Sequence, residues 1–234
     1  MPVNPENVLR LNMPQWQGGN HPDYRIGARV LAAIAQDPEG PVETIEVAEA
    51  KDAHRPLENG IYSRAPLVEM LSQAEAAIAK HQPEAIVTLG GDCLVDLAPI
   101  AYLNEKYGDD LAILWIDSHP DISTADQMPQ SHAHVLGMLM GYGDEAFVSA
   151  VPNKIRADQV LYIGLTEITS FEEGFVTDQK MARLSPEDLA ETIEPVMDWV
   201  RKSGAKKIAV HFDLDVLDPS FYDFLLFQDP NAKP

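Results

Sequence analysis

Short apolar runs alternate along the chain with longer segments in which apolar residues recur every three or four positions. The short runs are typical of buried β-strands and the longer segments of amphipathic helices. Strands are predicted at Val8–Asn12, Thr44–Ala48, Ala85–Leu89, Leu111–Ile116, Val160–Gly164 and Lys207–Phe212. Helices are predicted at Tyr24–Ala35, Pro66–Lys80, Leu94–Tyr107, His134–Gly141 and Pro186–Ser203. This alternation indicates βαβ units and a mainly parallel sheet.

The last predicted helix carries the clearest boundary residues. Ser185 is a suitable N-cap, Pro186 suits the first helical position, and Gly204 suits the end. Pro195 is expected to kink this helix or to split it in two. Because the sequence contains no internal repeat and no low-complexity linker, residues 1–234 are predicted to form one α/β domain with three α/β/α layers.

Composition narrows the class of protein and of partner. The chain of 234 residues has 45% hydrophobic and 23% charged residues, which is typical of a globular protein. Its formal net charge of −20 argues against nucleic acids and anionic membranes as partners. The single cysteine excludes an intramolecular disulfide framework. With no secretory signal pattern and no apolar run near the ~18–20 residues of a membrane span, a cytoplasmic location is expected.

Two acidic clusters stand directly after predicted strands. Asp117, His119 and Asp121 follow one strand, and Asp213 and Asp215 follow another. On an extended backbone, residues two apart point to the same face. Burying these groups together would be very unfavourable without positive charge. Since ligands of parallel sheets gather at the carboxyl ends of strands, the clusters predict a site for one or two divalent cations.

Three motifs together resemble the signatures of the ureohydrolases, the family of arginase, agmatinase and formiminoglutamase. The family signatures are Gly-Gly-Asp-His, Asp-Ala-His-x-Asp and Ser-Phe-Asp-x-Asp-x-x-Asp-Pro. The corresponding segments are Gly90-Gly91-Asp92-Cys93, Asp117-Ser118-His119-Pro120-Asp121 and His211-Phe212-Asp213-Leu214-Asp215-Val216-Leu217-Asp218-Pro219. The resemblance spans residues 85–219, and the last motif is the most specific.

The resemblance implies an arginase-like fold and a binuclear manganese site. It implies that Asp117 and Asp213 bridge the two metals. The other ligands would be Cys93 and Asp121 on the first metal and His119 and Asp215 on the second. Independently of the resemblance, oxygen ligands with one imidazole suit Mn²⁺ better than a thiolate-seeking ion.

The implied reaction is the attack of a hydroxide, shared by the two metals, on the trigonal carbon of a guanidinium or amidine group. The tetrahedral intermediate then expels an amine, which needs a proton donor, most commonly histidine. The family has a histidine at the start of the helix after the metal loop. His132 aligns best with it, and His134 is the second candidate because Ala133 replaces the family's glycine.

The chain departs from the family pattern at three places. Cys93 replaces a metal-binding histidine; it is either a thiolate ligand that favours Fe²⁺, Co²⁺ or Zn²⁺, or a small buried residue beside a weak or empty first site. Glu167 is the only candidate for substrate contact where arginases have an Arg-Asp-x-Asp stretch. After Pro219 only 15 residues follow, so the strand and helices with which family members continue are expected to be lacking.

The leading hypothesis is therefore a metal-dependent hydrolase of a linear C–N bond in a guanidino or formimino compound. The alternative is a catalytically impaired family member with a metal-binding or structural role, which Cys93 and the short C-terminal region motivate. By analogy with the family, a homo-oligomer is expected, either a trimer or a hexamer.

Overall fold

The computed structural model describes residues 3–48, 55–222 and 224–225. Its backbone contacts divide the chain into two compact units. The first unit comprises Met1–Leu103 with Ile122–Pro152, and the second comprises Asn104–Asp121 with Asn153–Pro234. Each unit therefore contains segments from two parts of the sequence, and each has its own parallel sheet.

The first unit is built on a three-stranded parallel sheet and a short antiparallel hairpin. The sheet strands are β1 (Val8–Met13), β2 (Val42–Thr44) and β5 (Ala85–Gly90), and the hairpin strands are β3 (Leu57–Glu58) and β4 (Ile61–Tyr62). The sheet order is β2-β1-β5. Asn59 and Gly60 both have positive φ angles, of 51° and 79°, as the tight turn of a two-residue hairpin requires.

Five helices accompany these strands. They are α1 (Tyr24–Ile34), α2 (Arg64–His81), α3 (Leu97–Tyr107), α4 (Val135–Leu139) and α5 (Glu145–Val148), and the C-terminal part of α3 belongs to the second unit. The helix α2 buries an apolar stripe that includes Leu67, Met70 and Ala74. This three- and four-residue spacing places these side chains on one face of the helix.

The second unit has a four-stranded sheet in which every pair is parallel. Its elements are β6 (Leu111–Ile116), β7 (Val160–Ile163), α6 (Ser170–Asp178), β8 (Ala182–Leu184), α7 (Glu194–Ser203) and β9 (Lys207–Phe212). The strand order is β8-β7-β6-β9. The central strands β6 and β7 are almost continuously apolar and buried, as expected for strands covered on both faces.

The predicted α/β class with parallel strands is confirmed. Five of the six predicted strands occur close to their predicted bounds, whereas β2 ends where the predicted Thr44–Ala48 strand begins. The predicted Pro186–Ser203 helix is split, since Pro195 lies in the first turn of α7, where its missing N–H costs nothing. The hairpin, α6 and β8 were not predicted, and the single-domain organisation stays a prediction.

Within the described part of the chain, no helix has both the length and the apolar character needed to cross a membrane.

Candidate metal centre

The two acidic clusters leave the second unit's sheet at the same edge. In the parallel pairing of β6 with β9, Ile116 lies beside Phe212, the last residue of each strand. Asp117 and Asp213 follow directly, and the Asp213 N–H donates to the Ile116 carbonyl at 2.9 Å. The register of two neighbouring strands thus brings together carboxylates that are almost a hundred positions apart in the sequence.

A first group of ligand-capable side chains joins Asp117, His119 and Asp215. One ligand atom from each lies within 4.8 Å of the others. The His119 Nδ1 atom lies 2.9 Å from Asp215 Oδ2 and 3.5 Å from Asp117 Oδ1. The Ser118 hydroxyl donates a hydrogen bond of 2.9 Å to Asp215 Oδ1, and this bond holds the orientation of the carboxylate.

A second group shares Asp117 and adds Asp213 and His211, again with ligand atoms within 4.8 Å. The His211 Nε2 atom lies 3.2 Å from Asp117 Oδ2. Alternation along β9 buries Ala209 and His211 while Ile208 and Val210 are exposed, so His211 faces inward. Sequence reasoning gave His211 no ligand role. The available signal was its two-residue spacing from Asp213.

Asp121 belongs to neither group. The prediction that an extended backbone carries Asp117, His119 and Asp121 on one face is wrong for this segment, because β6 ends at Ile116. Asp121 has a left-handed backbone with φ of 51°, which redirects its side chain. It is only 2% exposed, and its Oδ2 atom has no hydrogen-bond partner among the described residues.

Burial, neighbouring charges and hydrogen bonds shift the pKa values of these residues in opposite directions. Burial raises the pKa of Asp121 well above its ordinary value, and the neighbouring Asp117 charge raises it further. Burial also raises the pKa of Asp117, but hydrogen bonds from His119 and His211 outweigh it and hold that pKa below its ordinary value. Burial lowers the pKa of His119, yet Asp117 and Asp215 raise it to about 12.

Glu167 lies at the side of the first group. Its Oε2 atom is 3.4 Å from His119 Nε2, and its side chain is 40% exposed. The backbone N–H groups of Thr166 and Glu167 donate to the Ser118 carbonyl at 3.1 and 2.8 Å, which ties the loop after β7 to the loop after β6. The structure therefore brings Glu167 close to His119, one of the predicted ligands.

Cys93, His132 and His134 belong to the first unit. Cys93 is buried at the start of a 3-10 turn that its neighbour Asp92 caps. Burial raises the pKa of Asp92, while the positive field of His132 and several hydrogen bonds oppose that rise. The Asp92 carboxylate accepts from Gln15 Nε2 and from the Gly18 N–H, both at 2.9 Å.

The two histidines after the metal loop differ in their surroundings. Gly18, whose N–H donates to Asp92, contacts His132 through its carbonyl oxygen. This oxygen accepts a hydrogen bond from the His132 backbone N–H and lies 3.2 Å from His132 Nδ1. His132 is half-buried, and its ring is tilted against Tyr24. His134 is 1% exposed and its Nε2 lies 3.0 Å from the Met128 carbonyl, as in a core histidine.

A sequence profile described as Arginase family matches residues 19–223. The chain belongs to the arginase family. The arginase of Entamoeba histolytica is 24% identical over 230 residues, which cover 92% of this chain and 78% of that enzyme. The arginase of Staphylococcus aureus strain MRSA252 is 23% identical over 140 residues, which cover 57% of this chain and 46% of that enzyme.

Solved structures of the arginase family share the fold. The Entamoeba histolytica arginase in complex with L-ornithine gives a TM-score of 0.78 at 21% identity, covering 92% of this chain and 78% of that one. The arginase of Bacillus caldovelox gives 0.76 at 19% identity, covering 91% and 77%. The formimidoylglutamase of Bacillus subtilis gives 0.63 at 15% identity, covering 91% and 66%. These likenesses confirm an arginase-like α/β fold.

The residues of this arginase-family chain fit a divalent cation. The donor set combines carboxylate oxygens with imidazole nitrogens, which suits first-row divalent metals. The Asp121 Oδ2 atom is buried and has no hydrogen-bond partner in residues 3–48, 55–222 and 224–225, and burial raises the pKa of this carboxyl, so a nearby positive charge would stabilise its ionised form. A cation would offset the repulsion among Asp117, Asp121 and Asp213.

Proposed function

We propose that this arginase-family chain is a metal-dependent hydrolase that cleaves a linear C–N bond in a guanidino or formimino compound. The observation that carries the proposal is the Asp117 carboxylate, which belongs to both groups of ligand-capable side chains. Because a carboxylate has two oxygens, Asp117 can contact two cations at once. Asp213 is proposed as the second bridge, on the family resemblance.

The proposed cofactor is manganese, with two ions per chain. Carboxylate oxygens dominate the ligand set, and hard oxygen donors favour Mn²⁺ over softer ions. Cys93 is proposed as a further ligand because it occupies the ligand position of the family signature. If its thiolate binds, Fe²⁺, Co²⁺ or Zn²⁺ becomes competitive with Mn²⁺.

When bound, the two cations supply an activated water at neutral pH. Asp117, His119 and Asp215 would hold one of these cations. The Ser118 hydroxyl orients the Asp215 carboxylate through a hydrogen bond of 2.9 Å. The water oxygen adds to the trigonal carbon of the substrate. The C–N bond then breaks, and the leaving nitrogen takes up a proton as it departs as an amine.

His132 is the proposed proton donor, in preference to His134. The family resemblance aligns His132 with the catalytic histidine. Its Nδ1 lies against the Gly18 carbonyl, so a proton on Nδ1 is held there while Nε2 exchanges a proton with substrate. His134 is almost fully buried and its Nε2 is engaged with the Met128 carbonyl, which suits a structural role.

Glu167 is the proposed polar contact for the substrate, because it stands where arginases have an Arg-Asp-x-Asp stretch. Its half-exposed carboxylate lies beside His119, and charge-assisted hydrogen bonds from a substrate group to a carboxylate are strong. We also propose a cytoplasmic homo-oligomer, by analogy with the family and because the sequence contains a single cysteine.

The proposal is tested by metal content and turnover measured together. The full chain is stripped of metal, reloaded with Mn²⁺ and analysed for bound metal, and urea or ammonia release is measured with a panel of guanidino and formimino compounds. The expected result is two metals per chain with turnover of at least one compound. Asp117→Asn should lose both metals and the activity, whereas Asp126→Asn, at an exposed position, should retain both.

Two results would contradict the proposal. If the reloaded wild-type chain bound no more than trace metal, the proposed metal centre would be contradicted. If it bound two metals but turned over no compound, the proposed hydrolase activity would be contradicted, and the alternative of a catalytically impaired family member that binds metal would be favoured.

A further inference from the structure

His211 occupies the interior face of β9 at the edge of the proposed metal centre. In the register of β6 with β9 its neighbour is Trp115, and the two rings stack at 3.9 Å with an interplanar angle of 12°. Both side chains are buried, to 4% and 0% exposure. The stacking fixes the plane of the imidazole, and the Nε2 edge lies against the Asp117 carboxylate.

The spacing of the atoms is that of two ligands of one cation. A first-row metal binds imidazole nitrogen and carboxylate oxygen at about 2.0–2.2 Å, so two ligands in neighbouring positions lie about 3.0–3.4 Å apart. The His211 Nε2 to Asp117 Oδ2 distance of 3.2 Å falls in this range. An oxygen of Asp213 completes the group within 4.8 Å.

The buried carboxylate of Asp121 is an independent sign of a ligand at this position. Its Oδ2 has no partner among the described residues, and it lies in the electrostatic field of Asp117, His211 and Asp213. A buried polar atom of this kind is expected to have a partner, and a bound cation would supply one.

We propose that His211 is a direct metal ligand, whose Nε2 binds the cation shared by Asp117 and Asp213. This inference rests on the proposed metal centre. It adds a ligand that the family signature lacks, since the signature has serine at this position. Compared with the family signatures, the chain has cysteine in place of histidine at position 93 and histidine in place of serine at position 211, so the proposed nitrogen donor lies on β9 and not at the 3-10 turn that begins at Cys93.

The first test compares metal affinities. Equilibrium dialysis of the full chain against Zn²⁺ and Mn²⁺ is carried out for wild type, for His211→Ser and for the matched control His81→Ser, whose half-buried imidazole contacts Glu43 instead. If His211 is a direct ligand, His211→Ser should weaken metal affinity by more than about 100-fold. Loss of a residue that only hydrogen-bonds to a ligand would weaken it by roughly 10–100-fold. The control should bind as wild type does.

The second test uses wild type alone and therefore does not depend on the variant folding. In protein labelled with ¹⁵N in its histidines, the His211 signals are assigned through their contact with Trp115, and Zn²⁺ is added. The expected result is a large shift of the Nε2 resonance with Nδ1 protonated. Bound zinc with an unchanged Nε2 signal would overturn this inference and leave the metal centre intact. No bound zinc or manganese would overturn both proposals.

Discussion

At the scale of single residues, the Asp121 carboxylate is buried, and its Oδ2 atom has no hydrogen-bond partner in the part of the chain that the structure describes. Its pKa is raised, which means that the folded protein binds this proton more tightly than the unfolded chain does. In metal-free protein its contribution to folding therefore becomes less favourable as the pH rises above 3.8, its ordinary pKa. A cation beside the carboxylate would remove this cost.

Replacing Asp121 with asparagine should raise the stability of the metal-free protein and lower its affinity for metal. Asp121→Asn removes the charge, and asparagine tolerates the left-handed backbone at this position. At pH 7 the metal-free variant should be more stable than wild type by about 1.4 kcal/mol for each unit by which folding raises the pKa of the Asp121 carboxyl, because asparagine does not ionise. Its affinity for Mn²⁺ should be lower. Urea unfolding with and without chelator measures both effects.

The pH dependence supplies the control for that prediction. The stability advantage of Asp121→Asn should shrink toward about pH 3, below the ordinary pKa of 3.8, where the wild-type carboxyl is mostly protonated in both the folded and the unfolded chain. Asp126→Asn, at an exposed position of the following loop, should behave as wild type at both pH values. Equal stability of Asp121→Asn and wild type at pH 7 would contradict the predicted burial cost.

How far the sequence predicts the residues of the site depends on where each one sits. The placement of Asp117 and Asp213 at one edge of the sheet was predictable, because both directly follow strong apolar strands. The ligand role proposed for His211 was not predicted, because it depends on the pairing of β9 with β6 and on the Trp115 ring beside it. For Asp121 the two-residue spacing misleads, since β6 ends at Ile116 and Asp121 itself has a left-handed backbone.

At the scale of elements, Arg64 and Asp144 link the starts of two helices in the first unit. Arg64 is the first residue of α2 and makes two hydrogen bonds of 2.8 Å to Asp144, the N-cap of α5. Burial raises the pKa of Asp144, but the hydrogen bonds from Arg64 and from the Ala146 N–H outweigh it and hold the pKa below 3.8.

The Arg64–Asp144 pair should stabilise the fold at neutral pH and not in acid. A carboxyl with a lowered pKa stabilises above its ordinary value, and this stability is lost as the pH falls through the folded-state pKa. Asp144→Asn keeps a capping side chain but removes the charge, so it should lose about 1.5–3 kcal/mol at pH 7. The loss should shrink below pH 3.8 and disappear once the pH has fallen below the folded-state pKa of Asp144.

An exposed pair provides the comparison. Arg156 and Asp158 lie 3.0 Å apart with side chains 53% and 74% exposed. Asp158→Asn should change stability by less than about 0.5 kcal/mol in chemical unfolding at either pH. A loss at pH 7 as large as that of Asp144→Asn would show that charge alone, rather than the buried geometry, produces the effect.

Element prediction succeeded where apolar patterns were long and failed where they were short. The strands β1, β5, β6, β7 and β9 have four to six residues each. The unpredicted β8 has three residues, and the unpredicted hairpin strands have two each. Helix α6 carries a capping box of Thr169 and Glu172, a local signal that could have been used.

At the scale of the whole molecule, the net charge of −20 makes the fold sensitive to cations in two different ways. Monovalent salt screens the repulsion between surface carboxylates, with little dependence on which residues are present. A divalent ion bound at the acidic cluster adds a site-specific stabilisation that grows with the concentration of free metal.

Thermal unfolding should distinguish these two contributions. At a free Mn²⁺ concentration 100 times its Kd, wild type should gain about 2.7 kcal/mol per site over chelated protein. Asp117→Asn should gain only what sodium chloride of equal ionic strength provides, because Asp117 takes part in both groups. Equal shifts of the melting temperature with Mn²⁺ and with sodium chloride in wild type would contradict a specific metal centre.

The stacking of Trp115 on His211 gives the protein a built-in optical reporter. The chain has three tryptophans, and Trp115 is fully buried with its indole ring 3.9 Å from the His211 ring. Indole fluorescence is quenched by a charged imidazole in contact with it and by a nearby paramagnetic ion. Emission from this one side chain should therefore distinguish manganese from zinc at the neighbouring carboxylates, without any label or added dye.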